Sequence, residues 1–175
     1  KDYDINKKYS YNDYFSITEL RNEKLLLGAN FEKAFEKKGS TFTLYKDNLV
    51  KSAEIKGFYE DERDRLWIAS GYQGLVLVYD GKEERFTVEN GLHDNSVYQF
   101  LKTSDAKLYV IGDGGMSEII VNTDKTVSFK KYHSQPNISQ YAKFFSAVEA
   151  PDGTIWLGGE EGIVYLRNDS LYKFT

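Results

Sequence analysis

The chain has 175 residues, 41% of them hydrophobic and 15% aromatic, with a formal net charge of −4. That length suits one sizeable core, and the acidic balance excludes a nucleic-acid binder, which needs a basic surplus or stripe. No apolar run approaches the roughly 18–20 residues of a membrane-spanning helix. The absence of cysteine excludes disulfides, thiolate metal sites and a Cys nucleophile. The two histidines, His93 and His133, lie too far apart in sequence to read as a metal-ligand pair. No metal or cofactor is expected.

Lys1 opens the sequence with no basic-then-apolar leader before it, which reads as a chain whose native start lies upstream. Asp2–Ser10 fits the outer strand of a preceding repeat unit. The first clear unit follows from about residue 14, with Lys24-Leu25-Leu26-Leu27-Gly28-Ala29 at its centre. Phe31–Lys38 carries Phe31, Ala34 and Phe35 on one helical face, and reads equally as an elongated hairpin.

The second unit is the clearest. Ile55–Glu60 alternates weakly and turns at Asp61–Asp64; Leu66–Ser70 is a nearly continuous apolar run. Gly71–Gly74 turns again into Leu75–Tyr79, Asp80-Gly81 signals a two-residue hairpin, and Arg85–Val88 reads as the last strand. The third unit repeats this as Val97–Lys102, Leu108–Ile111, Ser117–Val121 and Val127–Tyr132. The fourth runs Phe145–Glu149, Ile155–Leu157, Ile163–Leu166 and Leu171–Phe174.

Superposing the units aligns Leu26, Trp67, Tyr109 and Trp156, at spacings of 41, 42 and 47 residues. Four residues before each anchor stand Asn22, Arg63, Asp105 and Asp152, in polar turns. After the last three come Gly74-Leu75, Gly115-Met116 and Gly162-Ile163. Agreement at three offsets defines an internal repeat of about 40–50 residues. Four short antiparallel strands per unit, rich in aromatics and glycine, are the signature of β-propeller blades. The expected fold is therefore all-β, with four consecutive four-stranded antiparallel sheets at about 14–50, 55–90, 97–133 and 144–175. The anchors Leu26, Trp67, Tyr109 and Trp156 are expected to pack between blades rather than touch ligand.

The link Gly91-Leu92-His93-Asp94-Asn95-Ser96-Val97 and the run Pro151-Asp152-Gly153-Thr154-Ile155-Trp156-Leu157-Gly158 give the repeat a family character. Together they resemble the two-component-regulator propeller repeat. The second blade departs from it, with Ala69-Ser70 in place of Gly-Thr and Asp64 in place of Gly. The first lacks the Trp, and the link Ser134–Lys143 lacks the motif. The resemblance implies the extracytoplasmic, periplasmic sensor part of a bacterial histidine kinase or hybrid system. The kinase, and any membrane contact, would lie in other parts of the parent chain. Such sensors carry more than four blades. The chain then reads as part of a larger ring whose open blade faces associate with another copy, or as four blades closing on themselves.

One end of each blade carries the turn between its second and third strands and the link to the next blade. Rings, amides and carboxylates in these loops suit stacking on sugar faces and bonding to hydroxyls. Tyr72, Gln73, His93, Asn95, Asp113 and Glu160 are the candidate ligand-binding residues, for a small molecule or an oligosaccharide. Asn95 reads equally as a backbone cap in its link. A protein-interaction or lectin-like scaffold is the second reading. A hydrolase is a distant third: Asp113 and Glu160 occupy equivalent turns of adjacent blades, but turns favour Asp and Glu anyway. No nucleophile elbow or phosphate-cradling loop accompanies them, so no catalytic residue is assigned.

Overall fold

The structure is a computed structural model that describes residues 13–30, 33–45 and 54–175. Asp2–Ser10 and Phe31 lie outside the described residues. Four blades follow one another along the chain. The first is β1 (Tyr14–Glu19), β2 (Leu25–Ala29), β3 (Ala34–Lys38) and β4 (Thr41–Leu44). The second is β5 (Ile55–Glu60), β6 (Leu66–Ser70), β7 (Leu75–Tyr79) and β8 (Lys82–Phe86). The third is β9 (Val97–Lys102), β10 (Leu108–Gly112), β11 (Gly115–Val121) and β12 (Val127–Ser134). The fourth is β13 (Phe144–Glu149), β14 (Ile155–Gly159), β15 (Gly162–Arg167) and β16 (Ser170–Lys173). Strand order within each blade follows the chain, and a short parallel contact joins β12 to β16.

The structure thus has the expected all-β blade architecture. The helical alternative for Phe31–Lys38 gives way to strand over Ala34–Lys38. The last strand of the second blade begins earlier than Arg85–Val88. Asp80 and Gly81 both take positive φ, 54° and 74°, which returns the chain at once into β8. Val88–Asn90 is instead a short 3-10 turn, capped by Thr87 and closed by Gly91 at φ 100°.

Local geometry repeats as the sequence does. Each first-to-second-strand turn ends on a left-handed residue: Glu23, Asp64, Ala106 and Gly153, at φ 62°, 58°, 65° and 82°. The Asn22, Asp105 and Asp152 side chains each accept a hydrogen bond from the backbone N–H two residues on, of Lys24, Lys107 and Thr154. In the second blade Arg63 stands at that position, and Asp61 takes over the work.

The chain divides into two compact units, separated between Arg85 and Phe86. In the first unit Leu26 of β2 packs with Ile55, Phe58, Leu66, Ile68, Val76 and Val78 of the second blade. In the second unit Tyr109, Ile111, Met116 and Tyr132 of the third blade meet Phe144, Ile155, Leu157, Val164 and Leu171 of the fourth. Within each unit the anchor of the leading blade, Leu26 or Tyr109, faces the following blade, whose answering residues are the immediate neighbours of its own anchor, on the opposite face. This alternation is the period-two rule of strands. It places all four anchors at the second position of their strands, as the repeat predicts.

Their burial differs. Leu26 and Trp67 are fully buried and Tyr109 nearly so, whereas Trp156 is half-buried. Its ring lies 5.3 Å from Tyr165 and 5.4 Å from Phe174. Around it Val148, Ile163 and Phe174 are exposed.

Candidate functional site

Each first strand pairs regularly with the second except at one bulge near its start. The register skips between Tyr14 and Ser16, Ile55 and Gly57, Val97 and Gln99, and Phe144 and Ser146. The extra residue is Phe15, Lys56, Tyr98 or Phe145. A bulge kinks the strand and re-aims this side chain. In the first unit the Lys56 ammonium sits 3.3 Å from the centre of the Phe15 ring. In the second, Tyr98 and Phe145 lie with ring centres 5.6 Å apart, tilted by 40°.

The bulge adjoins the turn that starts the third strand. The first residue after each second strand donates its N–H to the carbonyl just before the first strand: Asn30 to Asp13, Gly71 to Glu54, Asp113 to Ser96 and Glu160 to Lys143. Two glycines allow this approach. A Cβ on Gly112 would sit on the Ser96 carbonyl oxygen, and one on Gly159 on that of Lys143.

In the second unit these devices bring five side chains into one cluster. The Tyr98 hydroxyl donates to Asp113 Oδ1 at 2.9 Å. Asp113 bridges through its backbone to Lys143, and Gly114 N–H donates to the Ala142 carbonyl. Lys143 Nζ lies 3.7 Å from Glu160 Oε1, both half exposed, and Phe145 is 52% exposed. A ring face, two carboxylates and an ammonium thus stand side by side at the end of the blades that carries the links. Such a set can stack on an apolar ring face while accepting and donating hydrogen bonds at its edge.

Of the sequence candidates, Asp113 and Glu160 belong to this cluster. His93 and Asn95 serve the link. Asn95 Oδ1 accepts from the Val88 N–H at 3.0 Å, the capping role its motif suggested. His93 N–H donates to Ser117 Oγ at 3.0 Å, and its Nδ1 lies 2.9 Å from the same oxygen. The imidazole Nε2 is closed off without a partner. Burial, with some help from Lys131, holds the His93 ring neutral by lowering its pKa to about 3. A cleft of about 580 Å³ opens beside it, where Lys131, Gln135 and Gln140 reach solvent.

Tyr72 and Gln73 lie in the first unit. Both backbone N–H groups donate to Ser70 Oγ. Tyr72 is 65% exposed, while Gln73 Oε1 accepts from Arg85 at 3.0 Å. Sequence reasoning missed Tyr98, Lys143 and Phe145. A signal for the bulge residues was present: Phe15, Lys56, Tyr98 and Phe145 each stand eleven residues before their anchor.

Among the described residues no group of three or more His, Cys, Asp or Glu could hold a metal ion, and no helix is long and apolar enough to cross a membrane. No protein-family model matches the chain, and no curated protein matches it in sequence. Solved structures do match. The extracellular domain of a hybrid two-component system from B. thetaiotaomicron aligns with a TM-score of 0.68 at 20% identity, over 89% of this chain and 20% of that one. A second such domain from the same organism gives 0.66 at 17% identity, over 93% and 24%. Virginiamycin B lyase from Staphylococcus aureus gives 0.65 at 13% identity, over 93% and 55%. The shared feature is the propeller-blade fold. The chain spans only about a fifth to a quarter of the length of the two-component domains.

Proposed function

We propose that the chain is part of the extracytoplasmic, ligand-sensing propeller of a bacterial two-component signalling protein. It binds an oligosaccharide at the link-bearing end of its blades and reports to a kinase elsewhere in the parent chain. The observation that carries this reading is the blade repeat with its Gly91–Val97 link, together with the fold likeness to extracellular two-component domains. The clustered ring, carboxylates and ammonium at that end support the ligand class. The lyase shares the blade fold at lower identity; the fold likeness to the extracellular two-component domains favours the binding reading. A thermal-shift screen against soluble oligosaccharides tests it, because a ligand that binds only the folded state raises its melting temperature by mass action. A rise with one glycan class is expected; no response to any glycan at millimolar concentration refutes the ligand class.

The exposed apolar residues around Trp156 favour a second activity, docking of another blade face on β13–β16. A fully formed interface of this repeat has aliphatic residues on the covering side, as Ile155 and Leu157 cover Tyr109. Light scattering tests this. Concentration-dependent association that Phe174→Lys abolishes supports it, and a monomer at all concentrations rejects it.

A further inference from the structure

We infer that the bulge residues Tyr98 and Phe145 form a stacking platform for one ring of a neutral sugar, with Asp113 and Glu160 accepting from its hydroxyls and Lys143 donating to them. The inference rests on the oligosaccharide reading above and narrows it to a subsite and a charge class.

The argument begins with the bulge. A residue that leaves the ladder on a first strand is no longer placed by the in-and-out alternation of its neighbours, so its side chain is re-aimed. Phe145 is 52% exposed while the adjacent Phe144 is fully buried in the core. The blade thus buries one ring and presents the next. Tyr98 takes the same position one blade earlier and contacts Phe145 at 5.6 Å. Two rings tilted by 40° form a shallow angled surface rather than a closed stack. A pyranose has an apolar C–H face that suits such a surface and hydroxyls that project from its edge.

The edge is where the polar groups stand. Tyr98 spends its hydroxyl on Asp113 Oδ1 and leaves Asp113 Oδ2 available to a ligand hydroxyl. Glu160 and Lys143 pair at a long 3.7 Å, so both retain capacity for a ligand placed against them. Two carboxylates against one ammonium give the cluster a negative sign. A uronate or sulfated sugar would meet like charge there, whereas a neutral ring offers only dipoles and donors. That sign selects the neutral class.

The test is isothermal titration of the whole chain with neutral oligosaccharides (cello-, manno-, xylo- and arabino-series) and with oligogalacturonate and a sulfated series. A neutral series is expected to bind. Phe145→Ala and Asp113→Asn should each weaken it roughly tenfold, about 1.4 kcal/mol, with the melting temperature of the free protein nearly unchanged. Phe145→Trp should retain binding. Neutral binding that neither substitution alters overturns the platform and leaves the oligosaccharide reading standing, as does binding of the charged series alone. Binding of no series overturns both.

Discussion

Asp61 is the most heavily committed carboxylate among the described residues. Oδ1 accepts from the backbone N–H groups of Arg63 and Arg65 at 3.0 and 3.1 Å. Oδ2 accepts from Arg65 Nε at 2.7 Å and from the Trp67 indole at 3.1 Å, and stands 2.7 Å from Arg65 Nη2. Both partners of the pair are buried, Asp61 at 5% exposure and Arg65 at 6%. Burial pushes the Asp61 carboxyl up, yet the bonds from Arg65, Trp67 and the turn outweigh it and hold its pKa below the usual 3.8. Asp61→Ala therefore leaves a guanidinium, an indole N–H and two backbone N–H groups without their acceptor. Removing one partner of a buried pair costs about 3–5 kcal/mol, because a buried charge is left uncompensated. Against a total stability of about 5–15 kcal/mol this threatens the fold.

Urea unfolding at neutral pH measures the loss. With a slope near 2 kcal/mol per molar, the midpoint should fall by roughly 1.5–2.5 M. Asp61→Ala combined with Arg65→Met removes the stranded charge and should recover about half of the loss. What remains is the loss of the Asp61 acceptor to the indole and the turn backbone. The sign with pH follows from the depressed carboxyl. Its stabilisation is fully present above about 3.8 and fades as pH falls through the lower folded-state pKa, a fading the single variant should lack. A double variant no better than the single would refute the reasoning, since the loss would then not arise from the stranded guanidinium.

Three further outcomes follow from positions that recur from blade to blade. Ala106→Gly should stabilise by about 0.5–1 kcal/mol and Gly153→Ala destabilise by a similar amount, because both stand at the left-handed end of the same turn and neither substitution meets a neighbour; thermal unfolding reads both. Gly159→Ala should cost more than Gly153→Ala, on the order of 2 kcal/mol or above, since its Cβ would displace the Lys143 carbonyl; comparison of the two by urea midpoint separates contact from backbone strain. His93→Gln should flatten the pH dependence of stability between about 6.5 and 4: the wild-type ring is neutral in the fold with its pKa lowered to about 3, so stability is full above 6.5 and falls as pH drops below it, by at most about 1.4 kcal/mol per unit.

The blades were legible because strand alternation, turn chemistry and the anchor all repeat at one spacing. The recurring glycines 74, 115 and 162 all take positive φ, 72°, 137° and 88°. The β8 boundary was missed because Arg85–Val88 and Lys82–Phe86 are equally plausible as strands by residue type, and only the two-residue turn at Asp80-Gly81 decides between them. The half-burial of Trp156 could not be read from its own blade, since the cover of an anchor is supplied by the sheet that faces it. His93 looked like a loop residue open to ligand because its partner, Ser117, is distant in sequence and lies on β11.

Why the cluster at Tyr98 and Phe145 escaped the sequence reading has a deeper cause. Turn residues carry the expected signal of a site, because loops bear function on a rigid frame. The bulge places a variable side chain inside a strand, where alternation predicts either core or solvent and neither describes it. All four blades keep the bulge, but its occupant is Phe, Lys, Tyr and Phe at 15, 56, 98 and 145. The surrounding positions behave differently: the residue before it is Tyr14, Ile55, Val97 or Phe144, and the last three of these are fully buried. A constant geometry with a changing side chain separates the part of the repeat that holds the sheet from the part whose side chain can change while the ladder is kept. The core residue before the bulge is buried in the last three blades, whereas the bulge residue stands outside the ladder and is held by side-chain contacts, as Lys56 is by Glu54 and Phe15, and Tyr98 by Asp113 and Phe145. Under the proposed binding mode, variation at that one register position would change specificity without disturbing the ladder on either side.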